Sequence, residues 1–361
     1  MVTWGKVRGS RVAWFGIAGT TLLAALVAGW LLASRNSTEP VAAAPSPTAE
    51  LTASPTRTPG PTPTPSPTDP PPTPAPSPTA SPEPAALDDG RLNVLVLGTD
   101  SDAGRRARGM GYLTDAITLL SVAADGSDVA LFSLPRDSSD IPMPDGTVWT
   151  GKVNAITPTL GPATMRDAMS LLIGVPIDHY VMIDMDDFRR IVDAIGGVTV
   201  DVPYALADNR CVIGAGTQYL DGALALCFAR HRAVDSDYAR AGRHQQLLLA
   251  IRDRLAAGGV DIAALTGALG SLQTDIGASE IPILLDLAAR AQTATVQRLV
   301  LDPPEFTSFA GIAGARGWIS VPNGGAIRAA VAAMLPGPES LVGAPGAEDS
   351  EERPPSDAQI E

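Results

Sequence analysis

Histidine and cysteine are scarce in this chain, with three of the first and two of the second among 361 residues. His179, His231 and His244 are far apart and no H-E-x-x-H pair occurs, so a helix-borne zinc site of that kind is excluded. No G-x-S-x-G is present, and neither Cys211 nor Cys227 sits in a nucleophile context, which removes serine and cysteine hydrolases. A broad basic surface is missing too. The formal net charge is −13, so nucleic acid has no electrostatic footprint to bind. No internal repeat points to a solenoid. Both cysteines fall in the part expected to lie outside the cell, where a disulfide can persist. A Cys211–Cys227 bridge would contribute about 3 kcal/mol, although spacing alone does not establish that the geometry fits.

What is present divides the chain unevenly. Residues 1–11 carry Lys6, Arg8 and Arg11 and read as a cytoplasmic N-terminus. Val12 to Ala33 is an uncharged apolar run of 22 residues. About 20 such residues span a hydrocarbon core of roughly 30 Å, and the basic flank keeps the N-terminus inside. The competing reading is a signal peptide cut after Ala33, although its apolar region would be shorter. Residues 34–86 are rich in Pro, Ser and Thr and bury almost nothing. They read as a disordered polyproline-like stalk, whose Pro-rich part from about Thr38 to Pro84 could reach on the order of 140 Å, with a glycosylated stalk or a Pro-rich docking motif as the other options. Residues 336–361 read as a disordered acidic tail. One globular domain is left, at 87–335.

Within it, "RLNVLVLGTD" reads as a buried strand, and "DAITLLSVAADGSDVALFSLPRD" as two strands around a turn. "TMRDAMSLLIG" and "MDDFRRIVDAIGG" read as helices stopped by glycine, with strands "DHYVMID" and "VTVDVP" beside them. "DGALALCFARHR" reads as a short helix running into a strand, and "DSDYARAGRHQQLLLAIRDRLAA" as a long helix. Strand "VQRLVLD" separates two further helices near 281–292 and 325–333. The order suggests an α/β fold, a sheet with helices on both faces.

The window Phe228–Gln246 packs four arginines and two histidines into nineteen residues of an acidic protein. If "CFARHR" is a strand, Arg230 and Arg232 share a face with Phe228. In the following helix Arg240, Arg243 and His244 share a face. Asp235, Ser236 or Asp237 would cap that helix. Converging guanidinium groups suit a phosphate, while salt bridges along the surface are the plain alternative. Asp100 follows a strand and Asp115 starts another, so together they are candidates to hold Mg²⁺. Arg136 ends a third strand. An Asp at a strand end is more often a cap or turn residue.

In combination and in this order, "LNVLVLGTD", "TDAITLLSV", "FSLPRD", "KVNAI", "IGVPIDHYVMIDMDDFRRIVDAIGGVTVDVP", "LDGALALCFARHR" and "DYARAGRHQQLLLAI" resemble the LytR-CpsA-Psr family of extracytoplasmic cell-envelope transferases. The resemblance implies an α/β/α sandwich with a central mixed sheet and an apolar cleft for a polyprenyl chain. It implies cleavage of a lipid pyrophosphate and transfer of a phosphoglycan to a cell-wall glycan hydroxyl, with Mg²⁺ as cofactor. Carried over, Asp100 and Asp115 are the acidic pair that holds metal or assists catalysis, and Arg136 is the arginine of the "PRD" motif. Arg230 and Arg232 are the paired arginines on the pyrophosphate, and Arg136 with Arg240, His244 and Gln245 of the helix motif would bind it too. Two positions depart from the pattern. Leu113 stands where the family usually has Arg, unless Arg105, Arg106 or Arg108 replaces it, and His244 stands where it often has Gln. As a phosphate donor, His244 would act more strongly below about pH 6.5. The alternative function is a non-catalytic relative that binds polyprenyl phosphates or wall glycans as a regulator or scaffold. His179 and His231 read as structural, and Trp149 and Trp318 as rim or core packing.

Overall fold

The computed structural model describes residues 90–232 and 236–335. The apolar run at 12–33, the stalk and the tail lie outside the described residues. Among the described residues no helix is long and apolar enough to cross a membrane.

The centre is a six-stranded mixed sheet. Its strands are β1 (Arg91–Thr99), β2 (Thr114–Ala123), β3 (Asp128–Ser133), β4 (His179–Ile183), β5 (Gln273–Thr274) and β6 (Thr295–Val300), in the order β5-β4-β1-β2-β3-β6. β2 runs antiparallel to β1 and β3, whereas β4 is parallel to β1 and β6 parallel to β3. The β2–β3 connection is the expected tight turn, with the Asp125 carboxylate accepting from the Ser127 amide at 2.9 Å.

Alternation along β1 builds both sides of the molecule. Leu92 and Val94 face one core, and Leu95 and Leu97 the other. The first core is closed by α3 (Met185–Ala194), α4 (Gly222–Arg230), α5 (Asp237–Ala256), α6 (Ile262–Leu269) and α7 (Ile281–Arg290). The second is closed by α2 (Pro162–Ile173) and α8 (Gly324–Met334). A short helix, α1 (Ala103–Ala107), follows β1. The architecture is therefore the expected helix–sheet–helix sandwich. α2 ends at Gly174, whose φ of 86° closes the helix in the left-handed region.

One local reading changes. "CFARHR" is not a strand, because α4 continues to Arg230. Asp221 caps it by accepting from the Leu224 amide at 2.8 Å, and Ala225, Phe228 and Ala229 form a helical buried face. A Cβ on Gly222 would collide with the Arg189 carbonyl, so this helix packs tightly on α3. "VTVDVP" is a strand outside the main sheet, pairing antiparallel with Gly216–Leu220. His179 begins β4, bracketed by Asp275 at 3.5 Å and Glu280 at 3.3 Å, and is structural. Cys211 and Cys227 are bonded, with Cα atoms 6.4 Å apart.

Phe132 is fully buried at the centre of the second core. Phe132→Ala should cost about 3–5 kcal/mol, read as a lowered urea midpoint with an unchanged slope.

Candidate active site

A register irregularity places the two carboxylates. β1 and β2 pair Gly98 with Ala116 and then Thr99 with Thr114, leaving Asp115 as the extra residue of a bulge. Bulges re-aim side chains at sheet ends. Asp100 is tied to the same end, because its amide donates to the Leu113 carbonyl at 3.0 Å and its Oδ1 accepts from the Leu113 amide at 2.6 Å. Asp100 and Asp115 both border one cleft, between the sheet and helices α3, α4 and α5.

The cleft wall is apolar, made by Val96, Ile183, Phe188, Leu226, Leu247 and Leu248, and Arg230 and His244 also border it. It encloses about 760 Å³, open solvent at the mouth included. Cleft and charges together suit a ligand with a greasy tail and an anionic head.

Beside Asp115 the guanidinium groups gather. Arg136 Nη1 donates to Asp115 Oδ1 at 2.8 Å, and Arg232 Nη2 lies 3.6 Å from Asp115 Oδ2. Asp237, in the first turn of α5, is shared by Arg240 at 3.2 Å, Arg136 at 3.4 Å and Arg232 at 3.9 Å. Burial opposes the Arg136 charge, but Asp115, Asp237 and Asp137 outweigh it and raise its pKa. Burial likewise opposes ionisation of Asp237, yet Arg240, Arg136 and Arg232 hold it below the usual carboxylate range. Arg240 is 3% exposed, and burial lowers it to about 10. Arg230 has no ion pair with another described residue. Burial, then the neighbouring Arg210 charge, push its pKa below the ordinary value.

Of the expected site residues, Asp100, Asp115, Arg136, Arg230, Arg232 and Arg240 therefore meet at one end of the sheet. Gln245 does not join them. Its buried amide donates to the Leu299 carbonyl at 2.8 Å and to Ser133 Oγ at 3.0 Å, stitching α5 to β3 and β6. His244 borders the cleft, but its Nε2 is turned to the Ala229 carbonyl at 3.0 Å. Burial, then Arg240, push its pKa down to about 4. The expectation of a stronger phosphate donor below pH 6.5 is corrected accordingly. Arg243 turns away as well, donating to the carbonyls of Phe228 at 2.9 Å and His231 at 2.5 Å. His231 is fully buried. Trp318 is exposed and packs edge-on to Tyr238 at 6.3 Å. Trp149 packs against the second core.

Two residues gain importance. Asp237 enters the sequence reading only as a possible cap, whereas Ser236 holds that place, accepting from the Ala239 amide at 3.3 Å. The i, i+3 spacing of Asp237 and Arg240 was the available signal. Of the three arginines before Leu113, Arg105 reaches the site, with Nη2 3.0 Å from Asp100 Oδ2. Arg106 pairs with Asp184 instead.

A sequence model of the LytR_cpsA_psr family matches residues 72–304. The polyisoprenyl-teichoic acid–peptidoglycan teichoic acid transferase TagU of Halalkalibacterium halodurans is 32% identical over 166 residues, 44% of this chain and 51% of that protein. TagU of Bacillus subtilis is 28% identical over 176 residues, 48% of this chain and 54% of that protein. The chain thus spans about half the length of these relatives. The crystal structure of B. subtilis TagV aligns with a TM-score of 0.56 at 22% identity, covering 69% of this chain and 98% of that one. TagT bound to LI-WTA aligns with a TM-score of 0.55 at 20% identity, covering 70% and 92%. At these identities the structural likeness concerns the fold.

His244 yields a signed pH prediction. Its value near 4 in the fold lies below the ordinary 6.5, so the unfolded chain takes up the proton first as pH falls. Its contribution to stability is complete above pH 6.5 and is withdrawn progressively towards pH 4. Urea unfolding at pH 7.5 and 4.5 should show a smaller acid loss in His244→Asn than in the wild type.

Proposed function

The chain belongs to the LytR-CpsA-Psr family, and we propose that it is an extracytoplasmic phosphotransferase of the cell envelope, tethered by the apolar run at 12–33. Its donor is a phosphoglycan on a polyprenyl pyrophosphate, and its acceptor is a hydroxyl of a cell-wall glycan. The observation that carries this reading is the apolar cleft with carboxylates and arginines gathered at its mouth. The transferase names of the TagU relatives support it.

In this reading the prenyl chain lies along Phe188, Leu226 and Leu247, which presents the pyrophosphate to Arg230, Arg232 and Arg136. The acceptor oxygen attacks the glycan-side phosphorus. The bond to the bridging oxygen breaks, and polyprenyl monophosphate leaves with the electron pair. The guanidinium groups oppose the charge that develops on the phosphoryl oxygens, the largest contribution expected for such a transfer. Asp100 or Asp115 takes the proton from the acceptor hydroxyl.

A divalent cation fits this donor set. Asp100 and Asp115 offer only oxygen, as Mg²⁺ prefers. Each Asp100 oxygen accepts a single hydrogen bond, from the Leu113 amide and from Arg105. Asp115 Oδ1 accepts one from Arg136, and Oδ2 has Arg232 at ion-pair distance. A carboxylate has about four acceptor positions, so both keep capacity for a metal. Bound there, Mg²⁺ would neutralise phosphate charge.

The second reading, a binder without turnover, draws on Leu113 at the position of a usual arginine. The Arg105–Asp100 pair weighs against it, because it brings a guanidinium back to that end of the site.

Supplied with a polyprenyl-pyrophosphate-linked glycan, Mg²⁺ and an acceptor glycan, the full-length protein should release polyprenyl phosphate. Arg230→Ala should lower that turnover about 10²–10³-fold with an unchanged circular dichroism spectrum. Retained lipid without release in the wild type would favour the binder. Undiminished turnover in the variant would remove Arg230 from the mechanism.

A further inference from the structure

Helix α4 ends at Arg230, beside the cleft mouth, and the last carbonyls of a helix have no partner within it. Here four successive ones are taken by side chains from elsewhere. Arg243 donates to Phe228 and His231, His244 to Ala229, and Arg210 Nη2 to the Arg230 carbonyl at 3.1 Å. Cationic donors are favoured at this negative end of the helix dipole. Arg243 and His244 belong to α5, a core helix, and cannot leave without unfolding it. Arg210 is different. It stands at the tip of a small hairpin, between Leu206–Ala207 and Val212–Ile213, where Asp208 holds its guanidinium. The next residue, Cys211, is bonded to Cys227, one turn before Arg230 on α4. The bridge therefore ties the tip to the same helix whose end Arg210 caps.

We infer that Arg210 and the Cys211–Cys227 bridge form one positioning device that sets the direction of Arg230 at the cleft mouth, and that opening the bridge disables it. The anion-binding part of the inference rests on the transferase reading above. With the bridge closed, Arg210 is delivered to the Arg230 carbonyl despite the like charge of the two guanidinium groups. With it open, the hairpin keeps the apolar packing of Leu206 and Ile213 in the first core, but its tip holds the end of α4 through the Arg210 hydrogen bond, against which the like charge of Arg230 works. Opening by a small dithiol breaks the S–S bond and leaves two thiols on the protein. The dithiol becomes its own disulfide, so two electrons and two protons balance. Arg210 is a positioning residue, acting through Arg230.

The test uses the full-length protein in lipid nanodiscs, read by amide hydrogen exchange across residues 228–232 and by calorimetric binding of inorganic pyrophosphate. Treatment with a dithiol and the Arg210→Gln variant should each accelerate exchange there and weaken pyrophosphate binding about three- to tenfold. Applied together they should do no more than either alone, because they disable one unit. Arg210→Lys, which keeps a donor and the charge, should recover most of the binding. Arg210→Gln leaves the bridge intact, so the test survives if the reduced protein unfolds. Unchanged exchange, or binding losses that simply add, would overturn the inference. Accelerated exchange with no pyrophosphate binding even by the oxidised wild type would uphold the cap and count against the transferase reading instead.

Discussion

The site depends on the neutralisation of clustered arginines, from the buried Arg240 to the exposed Arg232, by two shared carboxylates. Arg136 comes from just beyond the end of β3 and Arg232 and Arg240 from the window around the start of α5, and Asp115 and Asp237 hold them together. At an effective dielectric near 20, unit charges 4 Å apart attract by about 4 kcal/mol. Removing each ion from water costs several kcal/mol. The two are comparable, so the cluster adds little net stability. What it supplies is order: cations are held close together before any ligand arrives. In the proposed function, an incoming diphosphate would meet donors that need little reorganisation, the condition under which electrostatic stabilisation is most effective.

That arrangement has a backbone cause. The bulge at Asp115 turns one carboxylate to the end of the sheet, and the mutual hydrogen bonds of Asp100 and Leu113 bring the other beside it. Helix α4 carries Arg230 to the cleft, and the capping of its final carbonyls fixes where the chain turns towards Arg232. Arg243 and His244 therefore act on the site through backbone, Arg243 from behind and His244 from the cleft wall, where its Nε2 is taken up by the Ala229 carbonyl. Gln245 does similar structural work at the other face of α5, binding the helix to the edge of the sheet.

The apolar cleft and the ionic mouth share their walls. Val96 extends β1 towards Asp100, and Leu226 lies one turn before Arg230. A ligand with a hydrocarbon tail and an anionic head can satisfy both only when its head lies at the mouth. In the proposed reaction the same geometry would separate two tasks, with tail burial holding the donor and the charged end acting on its phosphates.

Most of the long strands and helices along the chain, the two-sided core and the clustering of arginine in one acidic chain were legible in the sequence, because side-chain periodicity and composition are local properties. The order of strands in the sheet, α6 and the two-residue edge strand β5 were not. Asp100, Asp115, Arg136, Arg230 and Arg232 could be named for the same reason, since strand ends and charged windows are visible without coordinates. The direction of each side chain was not. Whether "CFARHR" continued a helix depended on how closely Gly222 could approach α3. Whether His244 and Gln245 faced a ligand depended on which carbonyls lay opposite them after α5 docked. Asp237 became the shared counter-ion only because the fold carried Arg136 to the start of α5 from a hundred residues earlier. Sequence determined which groups the protein owns and which elements carry them. Tertiary structure decided which of them meet, because long-range contacts, not local spacing, set the partners of a buried charge.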